Sequence, residues 1–327
     1  MRVAVIGAGS WGSAVSKVLF LAGHEVRVWA RREVVARHLR EGENPYYLPG
    51  VSLPKLQATT SLGEAIEGAE MVVYAVPAQH MREVLTRAYE FIDDGMIHVN
   101  LAKGMEMGTF KRMEEVFLDV LGRVEYSTLS GPSHAEEVAR DVPTSVVVAS
   151  RDEDIARKVQ EAFSTVSFRV YTTGDVTGVE LAGTLKNIIA IAAGVVDGIG
   201  GWDNTKAALI TRGLAEISRF GVFFGARMET FMGLAGVGDL MVTCTSRHSR
   251  NRYVGEMLAR GKTLDEILSD MNMVAEGVYN SKVVWELSKE HGIDMPITGA
   301  VYSVLYEGLG VKDAIHMLMR RPLKREM

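Results

Sequence analysis

Over the first half of the chain, short apolar runs rich in β-branched residues alternate with stretches whose apolar positions recur at helical spacing. Arg2–Ile6, Glu25–Trp29, Met71–Val76, Met96–Asn100, Tyr126–Leu129, Thr144–Ala149 and Phe168–Tyr171 read as strands. Their near-continuous apolar character suits strands covered on both faces. Glu33–Arg40, Leu62–Glu67, Met81–Phe91 and Glu153–Phe163 read as helices between them. This alternation predicts an α/β, doubly wound, largely parallel sheet, with ligands bound beyond the carboxyl ends of its strands. After Asp175 the strand signal fades. Val176–Val196, Lys206–Phe223, Arg252–Arg260, Leu264–Ser269, Tyr279–His291 and Ile297–Glu307 follow one another as helical patterns. The expected division is an α/β domain, residues 1–173, followed by an all-helical domain, residues 174–327.

The first strand runs into Gly7-Ala8-Gly9-Ser10-Trp11-Gly12 and then into a helical pattern (Ala14, Val15, Val18, Leu19, Leu21). Strand, G-x-G-x-x-G and helix in that order form the Rossmann dinucleotide fingerprint. Gly7 allows the tight turn, Gly9 the approach of a pyrophosphate, and Gly12 the close packing of helix on strand. The anion then rests at the positive end of the helix. NAD-binding domains usually carry an acid at the end of the second strand, on the ribose 2′-OH. Here that strand ends Trp29-Ala30-Arg31-Arg32, and Glu33 falls in the following helix. Two guanidiniums suit a 2′-phosphate. The expected cofactor is NADP or NAD, with NADPH favoured.

A chain of 327 residues, 47% of them hydrophobic, suggests two domains and a large core. The net charge of −5 argues against a nucleic-acid partner. The single cysteine, Cys244, leaves no internal disulfide and no cysteine-based zinc site, and suits a reducing compartment. No metal is expected. The first strand begins at Arg2, which leaves no room for a signal peptide. The longest uncharged apolar stretch, Ile188 to Val196, is too short to span a bilayer. These features predict a cytoplasmic protein without stable membrane insertion. The second domain offers surfaces for a homodimer. The basic tail, Arg320-Arg321-Pro322-Leu323-Lys324-Arg325, reads as a solvated, frayed terminus.

Four segments carry candidate chemistry. Lys103, in Asn100-Leu101-Ala102-Lys103-Gly104, follows a strand and stands at the carboxyl edge of the sheet. There it contacts a cofactor or an anionic substrate, or is an ordinary loop lysine. In Leu129–Glu137, Ser133 reads as a helix N-cap, with Glu136 completing a capping box. The N–H groups of Gly131 and Ser133 are also placed to hold a substrate oxygen. Lys186 lies deep in the apolar pattern Val179–Gly194, where a charge is rarely buried unless paired. Its neighbours Ala182, Gly183 and Ala190 are small and leave space for a ligand. Desolvation lowers a lysine pKa towards the range useful for proton transfer at neutral pH; the alternative is a lysine snorkelling to a domain edge. The glycine-rich run Gly233–Gly238 delivers Asp239, which can pair with a lysine. Ser249-Arg250-Asn251-Arg252 follows, and Arg250 suits a phosphate. His134 and His248 are weaker acid–base candidates, without an orienting partner nearby in sequence. Cys244 reads as a small buried hydrophobe.

Gly7–Gly12, Asn44–Pro49, Ala102-Lys103-Gly104, Leu129–Glu137, Leu185-Lys186-Asn187, Leu234–Thr243, Arg250-Asn251 and Ala275-Glu276-Gly277, in this order, resemble the bacterial NAD(P)-dependent glycerol-3-phosphate dehydrogenases. The resemblance covers nearly the whole chain. It implies interconversion of dihydroxyacetone phosphate and sn-glycerol 3-phosphate, for phospholipid synthesis, with Lys186 as proton donor and acceptor. It implies cofactor contacts from Ser10, Trp11, Arg31, Arg32, Lys103, Ala135, Arg250, Val274 and Glu276. It implies substrate contacts from Lys103, Gly131, Ser133, Lys186, Asp239, Ser249, Arg250 and Asn251, with Thr243 and Asn187 behind them. His134 departs from the aromatic or apolar residue of the family pattern, and Arg32 stands at a variable position. One rival reading is a related two-domain reductase of another small hydroxy acid or phosphate. Another is a dinucleotide sensor without turnover, which would need neither a pocket lysine at 186 nor Asp239.

Overall fold

A computed structural model describes every residue except Asn272, Lys324 and Met327, so the lysine of the basic tail lies outside the described residues. The first half alternates as the apolar runs predict: β1 (Arg2–Ile6), α1 (Ser10–Leu21), β2 (Glu25–Trp29), α2 (Glu33–Glu41), β3 (Gln57–Thr59), α3 (Leu62–Ile66), β4 (Met71–Tyr74), α4 (Met81–Ala88), β5 (Ile97–Asn100), α5 (Met113–Leu121), β6 (Glu125–Ser130), α6 (Ala135–Val138), β7 (Thr144–Ala149), α7 (Glu153–Phe163) and β8 (Phe168–Thr173). The strands form one sheet in the order β3-β2-β1-β4-β5-β6-β7-β8. All neighbours are parallel except β6 with β7. β4 and β5 are buried along their whole length, as strands covered on both faces must be. The strand order reverses between β1 and β4, so the loops after them diverge and open a crevice.

Two elements of this half had no apolar run to announce them. β3 has three residues, Gln57-Ala58-Thr59, and is an edge strand held by its register with β2. α5 lies between β5 and β6, where the pattern alone had assigned nothing.

The second half is helical: α8 (Val176–Ile199), α9 (Asp203–Phe223), α10 (Met228–Phe231), α11 (Asp239–Thr245), α12 (Arg250–Ala259), α13 (Leu264–Ser269), α14 (Glu276–Glu290), α15 (Pro296–Tyr306) and α16 (Val311–Met319). A π-helical turn, Leu234–Gly238, leads directly into α11. The short helices α10 and α11, the π turn and α16 were not predicted. α8 is 24 residues long and apolar enough to cross a membrane, so the span judged too short in the sequence belongs to a longer helix. Its most apolar window is 89% buried inside the fold, which makes it the central core helix. Glycines let α12 cross it closely. A Cβ on Gly194 would lie 1.8 Å from the Arg252 carbonyl oxygen, and one on Gly255 1.8 Å from that of Ile191. This backbone-to-backbone crossing sets the start of α12, with Arg250 and Asn251, beside the Lys186 segment of α8.

Candidate active site

The crevice beyond β1 and β4 continues to α8, α11 and α12 as one cleft of about 430 Å³. The glycine loop forms one end. Gly7 has φ +116°, and a Cβ there would lie 2.5 Å from the Ala75 carbonyl oxygen. A Cβ on Gly12 would lie 1.9 Å from the Gly7 carbonyl oxygen, so Gly12 lets α1 sit on the loop but does not itself line the cleft. Around Gly9 there is open space within 4 Å of the Cβ position. The loop is braced by fully buried Asn44, whose Nδ2 donates to the Ala8 carbonyl (3.0 Å) and to Ser13 Oγ (2.8 Å). This accounts physically for the Asn44–Pro49 motif. Two buried polar atoms on the cleft walls, Trp11 Nε1 and Glu276 Oε2, have no protein partner. Together with the open face at Gly9 and the acid-free first turn of α1, they fit a bound dinucleotide.

Arg31 and Arg32 both line the cleft beyond β2. Arg32 is held: its guanidinium donates to Tyr47 Oη (3.0 Å) and lies 5.2 and 5.7 Å from the ring centres of Tyr46 and Tyr47. Arg31 makes no hydrogen bond or ion pair among the described residues and is exposed to the cleft. Tyr47 had not been singled out; the Asn44–Pro49 motif contained the signal.

At the other end a buried charge cluster crosses the two halves. Lys186 Nζ donates to Asp239 Oδ1 (2.8 Å) and Thr243 Oγ1 (2.7 Å). Lys103 Nζ donates to Asp239 Oδ2 (2.7 Å) and the Gly131 carbonyl (3.0 Å). Asp239 thus holds one lysine on each oxygen, and the helix start at Asp239 follows from the π turn. Burial of a charge in this helix is made tolerable by a partner 53 residues away, the acid that the glycine-rich run delivers. The space expected at Gly183 is filled. A Cβ there would meet Ser130 Oγ at 3.1 Å and Lys103 Cγ at 3.5 Å, so Gly183 accommodates the second lysine rather than a ligand.

Burial pushes the Lys186 ammonium down to about 8; Asp239 works against this shift and Lys103 with it. Burial raises the Asp239 carboxyl, but the two ammoniums outweigh that and hold it below the usual range. Glu276 is pushed up to about 7 by burial, opposed by the Ala78 N–H bond and the charge of Arg250. His134 is lowered by burial and by Lys186. Its ring lies 5.9 Å from that of His248, and its Nε2 is buried without a partner.

Ser133 is not the N-cap of α6. His134 occupies that position, and the Ser133 hydroxyl instead donates to the Gly131 carbonyl (2.8 Å), because the chain must turn back before the helix can start. Arg250 stands at the first residue of α12 with Ser249 as N-cap, and makes no hydrogen bond or ion pair among the described residues. Arg252 is engaged, donating to Asp197 (2.5 Å) and to the Ser246 carbonyl (3.1 Å). Asn251 accepts from the Gly277 N–H (2.9 Å) and donates to Asn187 Oδ1 (2.9 Å), and Asn187 donates to the Lys103 carbonyl (3.1 Å).

The cleft is therefore lined by Gly7, Gly9, Ser10, Trp11, Arg31 and Arg32 at one end, by Lys103, Ser133, Ala135, Val274 and Glu276 along its length, and by Lys186, Asp239, Ser249, Arg250 and Asn251 at the other. Gly131 stands behind Lys103 and does not reach the cleft surface. Buried Cys244 lies beneath Lys186, its thiol pushed up to about 12. Away from the cleft, His38, Glu41 and Glu43 bring three possible metal donors together, but both carboxylates already face the ring's Nδ1.

Comparison with known proteins agrees with this geometry. The models for the N-terminal and C-terminal regions of NAD-dependent glycerol-3-phosphate dehydrogenase match residues 2–156 and 175–316. A glycerol-3-phosphate dehydrogenase [NAD(P)+] of Pelodictyon phaeoclathratiforme is 54% identical over 331 residues, covering 100% of this chain and 99% of the relative. One from Chlorobium limicola is 53% identical with 100% of both covered. The crystal structure of a glycerol-3-phosphate dehydrogenase from Coxiella burnetii superimposes with a TM-score of 0.93 at 39% identity, covering 98% of this chain and 99% of the other. A ketopantoate reductase from Ralstonia eutropha shares the fold alone, with a TM-score of 0.62 at 16% identity and 97% and 100% coverage. The chain belongs to the NAD-dependent glycerol-3-phosphate dehydrogenase family.

Proposed function

We propose that this oxidoreductase interconverts dihydroxyacetone phosphate and sn-glycerol 3-phosphate with Lys186 as general acid and base. The observation that carries the reading is the Lys186–Asp239–Lys103 cluster, opening on the same cleft as Arg250 and the glycine loop. When bound, the nicotinamide supplies or accepts the hydride. Arg250 clamps the substrate phosphate. Lys186 has one N–H left after Asp239 and Thr243, and directs it at the ketone oxygen. That ammonium stabilises the developing alkoxide and then gives it a proton. Lys103 and Asp239 fix its position and charge. Ser133, Ser249 and Asn251 complete the substrate end, with Gly131 acting from behind through its bond to the Lys103 ammonium; Ser10, Trp11, Ala135, Val274 and Glu276 hold the cofactor.

The direction of the Lys186 shift gives a pH signature. Reduction needs the ammonium, so kcat/KM for dihydroxyacetone phosphate falls as pH rises through about 8. Oxidation of glycerol 3-phosphate needs the free amine and rises through the same region. Profiles in both directions test this, and limbs that move together would remove Lys186 from the proton step.

Arg31 and Arg32 support a preference for NADPH. A charged hydrogen bond contributes about 1.5–3 kcal/mol, so Arg31→Glu weakens NADPH at least roughly tenfold and spares NADH. Equal losses in titrations with the two cofactors would show that Arg31 does not read the 2′-phosphate.

We further propose that the domains divide between residues 173 and 174, where β8 has ended and Asp175 caps α8. A cytoplasmic enzyme supplying glycerol 3-phosphate for phospholipids is supported by the product's three-carbon backbone and by the use of a single, buried, unbridged cysteine. A homodimer is supported by apolar side chains exposed on the helical half, Phe223 (54%) and Met232 (55%) among them; sedimentation at working concentration decides it.

A further inference from the structure

We propose that Asn280 is a positioning residue for the reaction: it fixes the backbone of Lys103 against α8 and so sets where the Lys103 charge stands beside Lys186. The inference rests on the roles of Lys103 and Lys186 given above.

Asn280 lies in α14 and is fully buried. A buried amide is unfavourable unless it is hydrogen-bonded. Its side chain makes three hydrogen bonds to two other segments. Nδ2 donates to the Lys103 carbonyl (3.1 Å) in the loop after β5 and to the Thr184 carbonyl (3.2 Å) in α8. Oδ1 accepts the Met105 N–H at 3.4 Å. The Lys103 carbonyl also accepts from Asn187 at 3.1 Å, so two amides, from α8 and α14, fix one peptide plane. The Lys103 side chain leaves from that residue to reach Asp239.

The loop approaches α14 only because residue 104 has no side chain. A Cβ on Gly104 would lie 2.8 Å from Ala78 Cβ, 3.0 Å from Asn280 Oδ1 and 3.1 Å from Glu276 Oε2. One helical turn before Asn280, Glu276 accepts the Ala78 N–H (3.0 Å) from the loop after β4. Residues four apart on one helix face thus grip two loops of the sheet. No side chain of Asn280 reaches the cleft surface, so its effect on chemistry is transmitted through Lys103.

Lys186 is faced by Asp239, Lys103, Cys244 and His134. Without Asn280, the Lys103 carbonyl keeps one of its two donors and the loop relaxes. The Lys103 ammonium then loses its fixed place on Asp239, and its repulsion of Lys186 weakens. The alkaline limb of the kcat/KM profile for dihydroxyacetone phosphate reduction moves to higher pH. Simple loss of packing lowers Tm and leaves that limb in place.

The test compares the full-length wild type, Asn280→Ala, Asn280→Ser and Lys103→Ala, with NADPH saturating. The expected result is a kcat/KM about ten- to a hundredfold lower in Asn280→Ala, the scale of a small misplacement of reacting groups. NADPH affinity stays near wild type, and the alkaline limb moves upward in both Asn280→Ala and Lys103→Ala. Asn280→Ser keeps a polar group in a smaller side chain and carries the test if the alanine variant does not fold. If Lys103→Ala moves the limb while the Asn280 variants keep the wild-type limb and rate, the positioning role is overturned. If Lys103→Ala itself leaves the limb unmoved, the proposed coupling of Lys103 to Lys186 fails, and this inference fails with it.

Discussion

Lys186→Ala lowers kcat for dihydroxyacetone phosphate reduction by about 10²–10⁴, the usual scale of a lost general acid, while NADPH binds with near wild-type affinity. Lys186 stands at the substrate end of the cleft, away from the glycine loop and Arg31 that hold the nucleotide. Lys186→Arg does not restore the rate, because a guanidinium keeps its proton at neutral pH. Some stability is lost in Lys186→Ala, since buried Asp239 keeps Lys103 on one oxygen but has only the Thr243 hydroxyl (3.3 Å) left on the other. Steady-state kinetics on protein checked for folding and NADPH binding measure the effect. A folded, cofactor-binding Lys186→Ala enzyme with more than about a tenth of wild-type kcat would exclude the role; His134 and Lys103 would be next.

Arg250→Ala raises KM for dihydroxyacetone phosphate by about 2 kcal/mol or more, roughly thirtyfold. The structure sharpens the choice among neighbouring arginines. Arg252 is tied to Asp197 and Glu256, whereas Arg250 faces the cleft without a protein partner among the described residues. Some NADPH affinity is lost as well, because Arg250 and Glu276 sit on the same wall. An unchanged substrate KM would move the assignment to Arg247 or Arg252.

Much of this site was legible in the chain because its signals are local. The glycine loop follows a strand and precedes a helix, and that order marks it although the clash that requires Gly7 comes from Ala75, beyond β4. Lys186 was conspicuous because charge is rare in an apolar helix. What was not legible is long-range. Nothing in the sequence near Lys186 names Asp239 as its partner, and Gly183 reads as empty space until Lys103 from the other half is seen to fill it. Asn280 looks like a polar residue on an ordinary amphipathic helix; only the packing of α14 on α8 and on the loop after β5 reveals three bonds. Ser133 was misread because the capping spacing fits two adjacent starts, and the turn at Gly131 selects the later one. β3 and α11 were missed because each is short and takes its shape from neighbours rather than from its own pattern.

The most direct measurement is NADPH oxidation by the wild-type chain with dihydroxyacetone phosphate and, in parallel, with dihydroxyacetone. The account predicts saturable turnover of the phosphorylated ketone, far weaker turnover of the unphosphorylated one, and loss of the first in Lys186→Ala. Tight NADPH binding with no turnover of dihydroxyacetone phosphate, or equal turnover of both ketones, would contradict it.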